Sequence, residues 1–179
     1  MIKKKKIILL SILIILLTFL SVFAHKLIFN IVSGRVHSPQ KYVGSNLTME
    51  DNTMFTVLRR IQVEGENTNS NEYAVFIVRF KFKNLKFETN KHLSNIPTPF
   101  LINMKGFREK IWTFNKDTDF FQGIYQWESK EIAEKYPESF VFNLMIKRAA
   151  PGTVSYKIIQ NTDLAEYIKR LVPNQDGDI

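Results

Sequence analysis

The side chains best suited to chemistry in this sequence are few and scattered. Its three histidines are His25 at the edge of a long apolar run, His37 in a Ser/Gly/Pro-containing stretch, and His92 in or near a short helical segment. They lie too far apart for a His-x-x-x-His pair, so no metal site is expected. His92 could serve as a general base beside a pocket; the alternative is an ordinary surface residue. The carboxylates Glu128, Glu131 and Glu134 alternate with Lys130 and Lys135, which reads as a solvated helix face rather than a catalytic pair. There is no cysteine, and hence no disulfide, thiol nucleophile or Cys-ligated metal. Neither a Gly-rich phosphate loop nor a Gly-x-Ser-x-Gly elbow occurs. The residues by themselves assign no catalytic group.

Charge is equally restrained. The net charge is +8, but Lys3, Lys4, Lys5, Lys6, Lys26 and Arg35 all precede the first acidic residue, Glu50, which leaves +2 on residues 37–179. A nucleic-acid-binding domain would carry its excess on the folded part, so no nucleic-acid partner is expected. Residues 7–24 contain no charge and only Ser11, Thr18 and Ser21 as polar interruptions. At 1.5 Å per residue that run nearly spans a bilayer core of roughly 30 Å, and it can extend past His25 and Lys26 toward Gly34. Residues 1–34 thus read as a single-pass anchor contacting the membrane through 7–33, with the four lysines favouring a cytoplasmic N-terminus and a domain outside the cytoplasm. The alternative is a signal peptide over 1–24, because Val22-Phe23-Ala24 places small residues as a cleavage site requires.

The elements that must position any site follow the anchor. Residues 35–52 read as a linker, and Asn46-Leu47-Thr48 in it is a sequon only by pattern. The domain occupies 53–160. A strand over 53–63 alternates Phe55, Val57, Ile61 and Val63, with Arg59 as the exception. After a turn over 64–71, Ala74, Phe76, Val78, Phe80 and Phe82 line one side of a strand over 73–83. Residues 88–96 predict a short or broken helix ended by Pro97 and Pro99. A hairpin follows, 107–114 and 120–127. Ser129 caps a helix with the stripe Ile132, Ala133, Tyr136, Phe140, Val141, Leu144 and Met145, kinked at Pro137 and stopped at Pro151-Gly152. Residues 153–159 form a last strand, and 161–179 a terminal helix and tail. The order is α+β: a ferredoxin-like βαββαβ antiparallel sheet with helices on one face, preceded by the membrane helix.

At Gly106-Phe107-Arg108-Glu109-Lys110-Ile111-Trp112, Phe121-Gln122-Gly123-Ile124-Tyr125-Gln126-Trp127-Glu128-Ser129 and Ala149-Ala150-Pro151-Gly152-Thr153-Val154-Ser155-Tyr156, the chain resembles a known group. It is similar to the dimeric α+β barrel superfamily of antibiotic-biosynthesis-type and haem-degrading monooxygenases, and within it to the YdhR-like group. The resemblance covers about 73–160 and speaks for fold more than activity, since its residues are strand aromatics, a helix cap and a turn. It implies a homodimer, with two sheets paired face to face and a pocket between sheet and helices in each subunit.

The same resemblance narrows the chemistry. The haem-degrading branch uses a first-strand Asn and a helix-borne Trp and His. Here the strand over 73–83 has no Asn, while Tyr136 and Ile146 fall at the Trp and His positions, so the axial ligand is missing and no cofactor is expected. Other members act on aromatic substrates without a cofactor, needing mainly an apolar pocket with a few polar handles. Trp112, Tyr125, Trp127, Tyr136 and Asn143 are the pocket candidates by that resemblance, with Arg79 or Arg108 to hold an anion; the alternative for each aromatic is simple core packing. The expected function is a membrane-anchored protein that binds a small apolar or aromatic molecule and oxidises it without a cofactor, or else a non-catalytic ligand-binding or interaction module at the membrane surface.

Overall fold

The structure is a computed structural model describing residues 2–65, 72–83 and 87–172. Most of the turn expected over 64–71 and the tail over 173–179 lie outside the described residues, whereas the strand expected over 73–83 is described throughout and spans Ala74–Phe80, with Phe82 in an isolated bridge to Ala149. The chain forms two compact units, Met1–Arg35 and Val36–Ile179. The first is helix α1, Ile2–Val32, of which Lys5–Asn30 is long and apolar enough to cross a membrane.

The second unit holds the strands β1 (Val36–His37), β2 (Asn46–Thr48), β3 (Met54–Val63), β4 (Ala74–Phe80), β5 (Phe107–Asn115), β6 (Phe120–Trp127) and β7 (Ser155–Gln160). Its helices are α2 (Phe87–Leu93), α3 (Thr98–Leu101), α4 (Lys130–Lys135), α5 (Phe140–Arg148) and α6 (Leu164–Leu171). Among the described residues the strands form one sheet in the order β1-β3-β5-β6-β4-β7, with β2 also paired to β3. Every pairing is antiparallel. The inner order β5-β6-β4-β7, with α2 and α3 between β4 and β5 and α4 and α5 between β6 and β7, is the ferredoxin-like βαββαβ arrangement. β3 extends the sheet beyond it.

Strand alternation divides the side chains between two faces. On the helix face, Phe76 on β4 meets Tyr125 on β6, together with Tyr136 and Phe142 from the helical layer, in edge-on contacts with centroids 5.1–6.0 Å apart. The helix expected as a single kinked rod after Ser129 is instead two. Pro137 sits in a 3-10 turn, Tyr136–Glu138, and Ser139 turns extended and caps α5 by accepting from the Phe142 N–H at 3.2 Å. The proline and a second capping serine together end one helix and start another.

The opposite face differs from expectation in a way that bears on assembly. It should have been bare, awaiting a second copy. Instead Val75, Ile77, Ile111 and Ile124 are covered in cis by Leu47 and Met49, and by Leu164, Tyr167, Ile168 and Leu171 of α6. Residues 35–52, expected as a linker, therefore include a paired strand whose ends deliver core side chains. The α6 contacts follow the i, i+3, i+4, i+7 stripe of an amphipathic helix, and Tyr167 Oη donates to Glu50 Oε1 at 2.8 Å, tying the two covering segments together. Among the described residues, the sheet face that the resemblance would pair with a second copy is covered in this way.

Candidate functional site

A cavity of about 50 Å³ opens on the helix face, with Trp112, Tyr125 and Tyr136 in its wall. By that measure one water needs roughly 10–15 Å³, so the space takes a few waters or one small head group. Three of the expected pocket residues are thus brought together. Tyr136 Oη donates to Tyr125 Oη at 3.1 Å, and both rings are buried. Burial pushes both phenols above their ordinary range, so both stay protonated at neutral pH. Gly123 lies opposite Trp112 on β5 and Val78 on β4. A Cβ there would stand 2.6 Å from Cε2 of Tyr125, so the glycine makes room for that ring against the cavity wall. Ser94 and Pro97 contribute from the α2–α3 stretch, and Leu144, Met145 and Arg148 from α5.

The other candidates lie elsewhere. Trp127 is fully buried behind the cavity, packed on Phe107 and Tyr136 with centroids 5.6 and 5.1 Å away, and is core. Asn143 is on the exposed side of α5 and donates from Nδ2 to the Ser139 carbonyl at 3.0 Å. Arg79 is on the opposite face of β4, where it pairs with Asp51 and donates from Nε to Gln122 Oε1 at 2.7 Å. That contact holds the Asp51 carboxyl far below the usual range. Arg108 pairs with Glu128 outside the cavity. His92 is exposed on α2 and does not line the cavity.

The polar groups at the cavity are ones the sequence reading passed over. The register of β3 against β5 shifts between Val57 and Arg59, and this irregularity turns Arg59 to the helix face. There its guanidinium carbon lies 3.7 Å from the centroid of Trp112, and Nη2 donates to the Ser94 carbonyl at 2.9 Å. Burial pushes Arg59 down to about 10, which leaves it charged at neutral pH. Lys110 is 7% exposed, with Nζ 4.2 Å from the Trp112 centroid and 4.6 Å from that of Tyr125. Burial, and then the charge of Arg59, push its amine well below the ordinary lysine range. Arg148 stacks over Phe82 at 4.7 Å, and its Nη2 is buried without a hydrogen-bond partner among the described residues. Among the described residues no carboxylate lines the cavity. Two signals were in the sequence: Arg59 breaking an apolar alternation, and Lys110 sharing a strand face with Trp112.

Haem does not fit this arrangement. No histidine lines the cavity, and Ile146 at the expected axial position is partly exposed on α5, so nothing there can ligate the iron. What the residues can do is stack a small planar molecule against Trp112 and Tyr125 and face its polar edge with cations and hydroxyls.

No curated protein matches the sequence. Solved structures match at low identity. A heme-degrading enzyme from Listeria monocytogenes is 14% identical over 63% of this chain and 73% of its own, with a TM-score of 0.46. A monooxygenase-like protein from Listeria innocua is 10% identical over 72% of this chain and 92% of its own, with a TM-score of 0.46. A conserved protein from Methanosarcina mazei Go1 is 10% identical over 52% of this chain and 96% of its own, with a TM-score of 0.43. Likeness at this level assigns no activity. The family described as "Putative mono-oxygenase ydhR" matches residues 75–169, a span that contains every residue lining the cavity, and the chain belongs to that family.

Proposed function

We propose that the cavity binds a small aromatic molecule and that the protein is held at a membrane by α1, with the folded unit outside the cytoplasm. The observation that carries the reading is an aromatic wall, Trp112, Tyr125 and Tyr136, edged by Lys110 and Arg148 with no carboxylate among the described residues. The buried floor takes one edge of the ligand, while half-buried Pro97, Leu144 and Met145 meet the remainder. Family membership favours oxidation of that molecule. An electron-rich ring system of the anthrone type, whose CH₂ lies across the ring from a carbonyl and enolises through it, can react with dioxygen without an external reductant: one oxygen atom replaces the two hydrogens as a new carbonyl, and the other leaves as water.

The test is a titration with naphthalene-sized aromatics, followed by tryptophan fluorescence. The chain has two tryptophans, and only Trp112 lines the cavity. Binding should quench the wild-type protein, and Trp112→Phe should remove the response. Oxygen uptake with anthrone- or quinol-type compounds then separates the two functional classes: binding with uptake supports an oxygenase, and binding without it a ligand-binding module. No quenching by any aromatic would refute the site. Protease accessibility of the folded unit in sealed vesicles tests the orientation.

A further inference from the structure

Lys110 is a group at the cavity that aromatic packing does not explain. A lysine buried this deeply normally pairs with a carboxylate, because an unpaired ammonium loses its hydration with nothing in return. Here its Nζ lies over the rings of Trp112 and Tyr125, and none of the described residues pairs with it or accepts a hydrogen bond from it. The groups that face it are Arg59 from β3, Tyr125 from β6, Tyr136 from the turn after α4, and Arg148 from α5. The α2–α3 stretch adds Ser94 and Pro97, neither of which titrates in the ordinary range. Among the described residues every ionisable neighbour is therefore a cation or a neutral phenol, and the partner that would complement them is an anion.

We propose, building on the reading of the cavity as an aromatic site, that its ligand is an aromatic alcohol, a phenol or enol, whose hydroxyl proton passes to Lys110 Nζ on binding. The O–H bond breaks, an N–H bond forms, and an oxyanion faces an ammonium between Trp112 and Tyr125. A phenol suits the site better than a carboxylic acid. It arrives neutral across an apolar rim, so no charge is stripped of water on entry, and the pair of charges is created only where they meet. The free protein supplies the acceptor, since burial and Arg59 keep the Lys110 amine readily deprotonated. Once the oxyanion is present, the same amine is favoured in its protonated form. The unpartnered Nη2 of Arg148 provides a second donor for an oxygen on the same ring system.

The experiment uses the full chain in detergent micelles, with empty micelles as reference, and two probes of similar shape. These are 4-nitrophenol, whose anion is coloured, and 4-nitroanisole, in which the hydroxyl is methylated. Below the pH at which free 4-nitrophenol ionises, the protein should bring up the colour of the anion and prefer the phenol by at least about ten-fold. Lys110→Met should abolish the colour and the preference while still binding 4-nitroanisole. If the phenol binds in its neutral form, or both probes bind alike, the proton-transfer proposal is overturned while the aromatic site stands. If neither binds, both fail. The comparison of the two probes on the wild-type chain decides the matter even if the Lys110 variant does not fold.

Discussion

At the scale of residues, Lys110 and Tyr136 make separable predictions. Unfolded lysine titrates near ~10.4, and folded Lys110 titrates well below its ordinary value because of burial and Arg59. Between those two values the unfolded chain binds the extra proton. This contribution to stability is therefore complete above the unfolded value and is lost as pH falls toward the folded one. Thermal melts from about pH 6 to 9 should show the wild-type midpoint rising with pH relative to Lys110→Met, whose curve lacks this component. Parallel curves would mean that Lys110 carries no perturbed proton. Tyr136 is both core and cavity wall. Tyr136→Phe keeps the packing and removes the hydrogen bond to Tyr125, a loss of about 1 kcal/mol. Tyr136→Ala should cost about 3–5 kcal/mol. Chemical denaturation of the two variants reads the difference, and equal losses would contradict the packing described. Trp112, Tyr125 and Tyr136 were reached through the family resemblance, and of the three only Tyr136 was also marked by a periodic apolar stripe. The cations were legible only in part: Arg59 breaks an apolar alternation, but the β3 irregularity that turns it inward has no glycine or proline to announce it, whereas Arg79 and Arg108 look free in sequence and are consumed by Asp51 and Glu128.

At the scale of elements, the βαββαβ core was readable from period-2 and period-3.6 patterns, from Ser129 and from Pro151-Gly152. The cover on the opposite face was not. Residues 46–49 are a short strand and its end within a stretch rich in turn formers, and only their placement against Phe55 and Ile77 reveals Leu47 and Met49 as core. A terminal helix was expected, but the expectation did not say which sheet face it would cover. Ile168 is 1% exposed in this layer, so Ile168→Ala should destabilise the folded unit by about 2–5 kcal/mol. An effect below about 0.5 kcal/mol, the level of an ordinary surface change, would mean that α6 does not seal the sheet.

At the scale of the whole molecule, closure in cis changes the expectation for assembly. The barrel homodimer inferred from family resemblance needs an apolar sheet face, and here that face is occupied by residues 47–49 and α6. The folded unit, residues 36–179, should therefore sediment as a monomer at micromolar concentration, and a stable dimer would show that another surface mediates pairing. The function of the folded unit turns on whether a small aromatic ligand occupies the helix-face cavity. The most direct measurement is a crystal structure of the folded unit soaked with a naphthol. Density stacked on Trp112 and Tyr125, with the hydroxyl oxygen toward Lys110, is the predicted result. A ligand bound elsewhere with this cavity empty would contradict it.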